Sequence, residues 1–213
     1  MKSIHIVILD GYTLNPGDLS WDGFARLGTL TVHDRTAPDE VRQRIRGAQI
    51  VITNKTPLTA DTLNAPEASE VRYIGVLATG YNVVDLKTAK DRGIPVTNIP
   101  TYGTDAVAQL TFAHLLEICH HVGAHDAAVH RGEWAKSKDF CFWHFPMGEL
   151  AGKKLGIVGF GRIGARVAQI GHAFGMEVLV LDRQGRVQRD GLPYQFVSLE
   201  TLLSESDVIT LHC

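Results

Sequence analysis

Lys154-Leu-Gly-Ile-Val-Gly-Phe-Gly-Arg-Ile-Gly164 carries an apolar strand directly into Gly159-x-Gly161-x-x-Gly164 and on into an amphipathic helical stretch. In that order Gly159 permits the tight strand-to-helix turn, Gly161 lets backbone come close to a pyrophosphate, and Gly164 lets the helix pack on the strand. The N–H groups at the helix start then face an anion. A second strand, Glu177 to Leu181, ends in Asp182. A carboxylate there accepts hydrogen bonds from both adenosine ribose hydroxyls and repels a 2′-phosphate, so NAD is expected rather than NADP. Alone, the three glycines would fit a structural turn with a surface aspartate. The succession strand, turn, helix, strand, acid favours a dinucleotide.

The rest of the composition narrows the class. A chain of 213 residues that is 45% hydrophobic has room for one or two cored domains, and two are expected. With 21 basic against 23 acidic residues and no long charge runs, there is no footprint for nucleic acid or an anionic membrane. Small neutral or anionic ligands are the expected partners. Cys119, Cys141 and Cys213 are odd in number and widely spaced, which suits a reducing compartment rather than a disulfide framework. No signal-peptide core comes after Met1, and no apolar run approaches the ~20 residues that span a bilayer. A cytoplasmic location is expected.

Outward from the glycine turn, the first hundred residues alternate β-rich runs (Ile4 to Leu9, Thr29 to His33, Ile50 to Thr53, Arg72 to Ala78, Pro95 to Asn98) with short helical patterns. That alternation predicts five parallel strands with helical crossovers. A long helix opens at Tyr102-Gly-Thr-Asp105, with Thr104 or Asp105 as cap and Val107, Leu110, Ala113, His114 and Ile118 at helical spacing. It is read as continuous to Arg131 and as the link between domains. Residues 132–152 form an aromatic-rich connection with Trp134, Phe140, Phe142, Trp143 and Phe145, suited to a domain or subunit interface. His121 and His125, four apart, would permit a metal pair, but no third ligand is evident and no metal is expected. After the glycine turn come strands near Glu177, Tyr194 and Val208, where the chain stops at an apolar strand. Only the first half and the fourth strand of a six-strand dinucleotide fold are present, so a fragment of a longer enzyme is expected.

Several segments resemble one family. Leu77-Ala-Thr-Gly-Tyr-Asn-Val-Val-Asp85, Arg92-Gly-Ile-Pro-Val-Thr-Asn98, Tyr102-Gly-Thr-Asp-Ala-Val-Ala-Gln109, the glycine turn with Arg162-Ile163, and Ser206-Asp-Val-Ile-Thr-Leu-His-Cys213 are similar to those of NAD-dependent D-2-hydroxyacid dehydrogenases, most of all glycerate dehydrogenases (hydroxypyruvate reductases). The resemblance implies two doubly wound parallel-sheet α/β domains. These are a flavodoxin-like substrate domain over 1–101, an interdomain helix and connection over 102–151, and the first half of a Rossmann NAD-binding domain over 152–213. It implies that Ala78, Thr79 and Gly80 offer backbone N–H groups to the substrate carboxylate. Thr104, Gly159, Gly161, Arg162, Ile163, Gly164, Asp182, His212 and Cys213 would contact NAD. Gln109 stands where many members carry an acid, which puts any role of that acid in doubt here.

Reduction of a 2-keto acid needs a cation on the carboxylate and a proton donor as hydride arrives. In the resembling family an arginine, a glutamate and a histidine do this, all beyond the segment ending at Cys213, so no catalytic residue is assignable and this chain alone is expected to be inactive. The expected whole is a homodimeric enzyme interconverting glycerate and hydroxypyruvate, or acting on glyoxylate. The rivals are a phosphoglycerate or other hydroxyacid dehydrogenase, a non-catalytic NAD-sensing scaffold like the corepressors of this fold, and a truncated form that acts only by dimerising.

Overall fold

The computed structural model describes residues 4–183 and 191–213. The chain divides into two compact units, Met1–Tyr102 and Gly103–Cys213.

In the first unit, β1 (His5–Ile8), β2 (Thr29–Val32), β3 (Ile50–Thr53), β4 (Tyr73–Val76) and β5 (Val96–Thr97) form one parallel sheet in the order β2-β1-β3-β4-β5. Alternation along each strand explains why both faces are covered. Val7, Val51, Ile74 and Val76 enter one core beneath α2 (Val41–Ile45), α3 (Ala60–Asn64) and α4 (Leu86–Asp91), whereas Ile6, Ile8 and Ile52 enter another with Trp21 and Phe24 around α1 (Asp22–Ala25). The helices start at residues that can cap them: the side chain of Thr59 accepts from the N–H of Thr62, and that of Asp85 from Thr88. Gly93, at φ 67°, ends α4.

The second unit begins with α5 (Thr104–His120) and α6 (Val122–His130) and continues as β6 (Lys154–Val158), α7 (Arg162–Ala173), β7 (Glu177–Leu181), β8 (Gln195–Val197), α8 (Leu199–Glu205) and β9 (Val208–Leu211). Its parallel sheet has the order β8-β7-β6-β9, with β6 between the next strand in the chain and the last strand. Leu155 and Ile157 pack beneath α5 and α7, and Leu179 and Val197 pack with Leu202 of α8 on the opposite face.

The long helix departs from its sequence reading in three ways. It belongs to the second unit, because Ala108, Phe112 and Leu115 are buried with Leu155, Ile157 and Val167. It is capped by neither Thr104 nor Asp105: Gly103 is the N-cap, no side chain caps it, and Thr104 is the first helical residue. It is interrupted at His121, whose φ of 49° and ψ of 46° end α5 and begin α6, a left-handed conformation that costs a non-glycine residue roughly 1–2 kcal/mol. The apolar stripe seen in the sequence faces outward, with Leu110 56% and Ile118 70% exposed. The buried face is one residue out of phase with it, and its Phe112 stacks on Phe174 at 5.4 Å between ring centroids.

This phase has a direct check in urea unfolding at low protein concentration. Phe112→Ala is expected to cost about 3 kcal/mol, and Leu110→Ala less than about 0.5 kcal/mol. The reverse ranking would place the wrong face of α5 in the core.

Candidate functional site

Hydrogen bonding of β6 to both β7 and β9 puts the switch in strand order of this sheet at β6, and its parallel register brings Gly159, Asp182 and His212 to one end of the sheet. In open α/β sheets this end, where the strand order reverses, is where ligands bind. Gly159 sits at φ 98°, and a Cβ there would lie 2.5 Å from the carbonyl carbon of His212 and 2.7 Å from the nitrogen of Cys213. The turn and the end of β9 can therefore approach only through a glycine. A Cβ on Gly164 would strike the carbonyl oxygen of Gly159, whereas one on Gly161 would meet nothing within 4 Å. Two of the three glycines thus serve the fold, and the third fronts open space. Gly161 is the N-cap of the twelve-residue α7 and supplies no capping side chain, which leaves the positive end of the helix for an anion.

The remaining cofactor candidates cluster around this turn. Arg162 is exposed on the first turn of α7, while the side chain of Ile163 packs on the core and leaves its backbone for contact. Asp182 comes directly after β7, its N–H bound to the carbonyl of Val197 at 2.8 Å and its side chain exposed. Burial lowers the pKa of His212, which favours neutral imidazole, and its Nε2 is buried without a hydrogen-bond partner among the described residues. Cys213 is exposed. Thr104 is tied in from the side, since Arg166 of α7 donates to Asp105 at 2.8 Å and α5 packs along α7. Gln109 is exposed on α5. A dinucleotide fits this set by two observations: the clear space before Gly161 beside an uncapped helix start, and an orphaned imidazole nitrogen at the adjoining strand end.

The substrate candidates lie in the first unit. Ala78 is buried, and its carbonyl accepts from the N–H of Ile99 at 3.1 Å. The amide of Asn98 donates to the carbonyl of Thr79 at 2.8 Å. Both contacts use carbonyls, and the N–H groups of Thr79 and Gly80 donate to nothing among the described residues. A Cβ on Gly80 would meet only Oδ1 of Asn82, at 3.4 Å. A cavity of about 430 Å³ adjoins, with Thr13, Trp21, Asn54, Leu77 and Tyr102 among its walls.

Asp10 escaped the sequence reading. Its carboxylate accepts from the N–H groups of Asn54, Lys55 and Thr56 at 2.8, 2.5 and 2.9 Å. The signal was available, because Asp10 closes an apolar strand as Asp182 does. The two histidines weighed as a metal pair have other tasks. Nδ1 of His125 meets the carbonyl of His121 at 2.9 Å, and its Nε2 accepts from the N–H of His144 at 3.2 Å.

A family model described as the NAD-binding domain of D-isomer specific 2-hydroxyacid dehydrogenases matches residues 112–213. A hydroxypyruvate reductase of Blautia hydrogenotrophica is 52% identical over 211 residues, which are 98% of this chain and 65% of that protein. A glycerate dehydrogenase of Methylorubrum extorquens is 40% identical over 175 residues, 82% of this chain and 53% of that protein. Among solved structures, D-lactate dehydrogenase from Aquifex aeolicus, complexed with NAD and lactic acid, is 29% identical with a TM-score of 0.72, over 98% of this chain and 60% of that one. The chain thus spans 65% or less of the length of these proteins.

The different duties of the glycines can be separated. Gly161→Ala is expected to unfold at the wild-type urea concentration yet weaken NADH binding at least about tenfold, because its methyl enters the space that a diphosphate would take. Gly164→Ala is expected to lose roughly 1–3 kcal/mol of stability through its backbone collision. Unchanged NADH affinity in Gly161→Ala, read by fluorescence titration, would remove the pyrophosphate from this turn.

Proposed function

We propose that the chain belongs to the D-isomer specific 2-hydroxyacid dehydrogenases, whose NAD-binding domain it matches over residues 112–213, and that the protein it forms part of reduces hydroxypyruvate, or a related small 2-keto acid such as glyoxylate, with NADH. The observation that carries the cofactor is the glycine turn with open space before Gly161 and the exposed Asp182 on the neighbouring strand end. The names of the two relatives support the substrate class.

In this reading each group has a physical task. Backbone N–H groups at the start of α7, from Gly161 through Ile163, hold the diphosphate with the help of the helix dipole. Asp182 accepts from the ribose hydroxyls and disfavours NADPH by charge repulsion. Thr104 lies against the first turns of α7 and adds a hydroxyl, while His212 and Cys213 border the adenosine side. The N–H groups of Thr79 and Gly80, with Ala78 fixing the turn beneath them, bind the substrate carboxylate. NADH supplies the hydride when bound. No proton donor for the carbonyl oxygen is assigned among the described residues.

Two further features belong to this proposal. Phe140 is 91% exposed, and Trp143, Met147, Leu110 and Ile118 are exposed with it, an apolar extent that favours a homodimer formed through α5 and the aromatic connection. No described helix is long and apolar enough to cross a membrane. The three cysteines are free, which supports a reducing, cytoplasmic setting.

NADH oxidation measured with hydroxypyruvate, glyoxylate, pyruvate and 3-phosphohydroxypyruvate tests the activity in the protein that contains this chain. The highest kcat/KM is expected with hydroxypyruvate. Nucleotide binding without turnover of any keto acid would favour a sensing scaffold. Asp182→Ala is expected to bind NADH at least about tenfold more weakly, since each charge-assisted contact to a ribose hydroxyl contributes roughly 1.5 kcal/mol, and to stop discriminating against NADPH.

A further inference from the structure

Among residues 159–161 of the glycine turn, Phe160 alone carries a side chain that can hold the turn to a neighbouring element. Gly159 is pressed on the backbone at the end of β9, and Gly161 fronts open space. The ring of Phe160 leans on Tyr194 at 4.7 Å between ring centroids and meets Phe196 edge-on at 6.2 Å. Tyr194 and Phe196 in turn meet each other edge-on at 5.2 Å, which closes a triangle of rings. All three are half-buried and pack against the core that holds Val178 and Val180. The contact reaches across the sheet, since β7 lies between β6, which runs into the turn, and β8, which carries Phe196 and begins just after Tyr194. Aliphatic side chains could fill the same space but would not fix a direction. Tilted and edge-on ring pairs at about 4.5–7 Å are favoured because positive ring edges meet negative faces, so Phe160 is held in orientation as well as in place.

The same strand fixes the other half of the candidate cofactor site by different means. The N–H of Asp182 donates to the carbonyl of Val197 at 2.8 Å, continuing the register in which Leu181 pairs with Val197. That bond joins main chain to main chain and requires no side chain of β8. Beyond it Ser198 caps α8, its hydroxyl accepting from the N–H of Thr201 at 3.1 Å, and Leu202 of α8 packs with Val197 and Leu179. β8 thus reaches the glycine turn through rings and the acid through a carbonyl, with its own end anchored by α8.

We propose that Tyr194 and Phe196 are positioning residues for the dinucleotide: through Phe160 they set the glycine turn against the diphosphate, while Asp182 is set separately by the main chain of β8. This rests on the assignment of the glycine turn to the diphosphate of NADH. The separation has a consequence in binding. Loosening the rings weakens NADH and NADPH by the same factor, and the choice between them, made at Asp182, is unchanged.

Equilibrium titrations with NADH and NADPH, in the protein that contains this chain and at a temperature where every variant is folded, read this directly. Tyr194→Leu and Phe196→Leu are each expected to raise the NADH Kd about fivefold, with the ratio of NADPH to NADH Kd within about twofold of wild type. Tyr194→Phe, which keeps the ring, is expected to stay within about twofold of wild type for NADH. Phe160→Leu is expected to weaken NADH as Tyr194→Leu does, and the double variant to be no more than about twofold weaker than either single one, because both remove the same contact. Wild-type NADH affinity in Tyr194→Leu, with only its thermal midpoint lowered, would reduce the rings to core packing and overturn the proposal. So would single losses that multiply in the double variant, or a lost preference for NADH in Tyr194→Leu. A wild type that binds neither nucleotide would remove the dinucleotide reading and the proposal with it, whereas wild-type binding that the ring variants leave intact would remove the proposal alone.

Discussion

Contact between backbone and backbone, with no side chain between, holds the dinucleotide half of the molecule together at its most informative point. Gly159 touches the end of β9, and Gly164 lets α7 lie against the carbonyl of Gly159. Strand, helix and returning strand meet within a space that would not admit a methyl group. Because main chain occupies that junction, the first turn of α7 is aimed by the sheet itself. Gly171 repeats the device lower on the same helix, where it admits Leu155 and Phe112 and so brings α5 close.

The parts of this arrangement that depend on strand alternation and glycine position were readable from the sequence. The five strands of the first unit, the strands and helices around the glycine turn and the Asp182 position are set by apolar runs and by the glycines and acids that close them. Long-range choices were harder. The Val107-Leu110-Ile118 stripe is as apolar as the face that is buried, and only the packing of Phe112 against Phe174 decides between them. His121 carries no local sign of a left-handed turn, since histidine is an acceptable helix residue. Asp10 was passed over because a carboxylate at a strand end looks like a surface acid until its three donors, more than forty residues away, are brought to it.

Asp10 and Asp182 make an instructive contrast. Each stands at the end of an apolar strand in a parallel sheet. Asp10 is turned inward and saturated by protein N–H groups, whereas Asp182 is exposed. Sequence position supplies a carboxylate in both places, and at Asp10 the arch of residues 54–56 draws it into the scaffold. Among the described residues the buried hydroxyls of Ser206 and Thr210 and Nε2 of His212, in and beside β9, have no hydrogen-bond partner, and such atoms mark places where the fold alone does not complete the hydrogen bonding.

Asp10 grips the arch of residues 54–56 through main-chain N–H groups only. The identity of the residue at position 55 is therefore decoupled from the integrity of the arch. A substitution there can exchange one side chain for another while the main-chain hydrogen bonds to Asp10 stay in place, so it is expected to cost little stability.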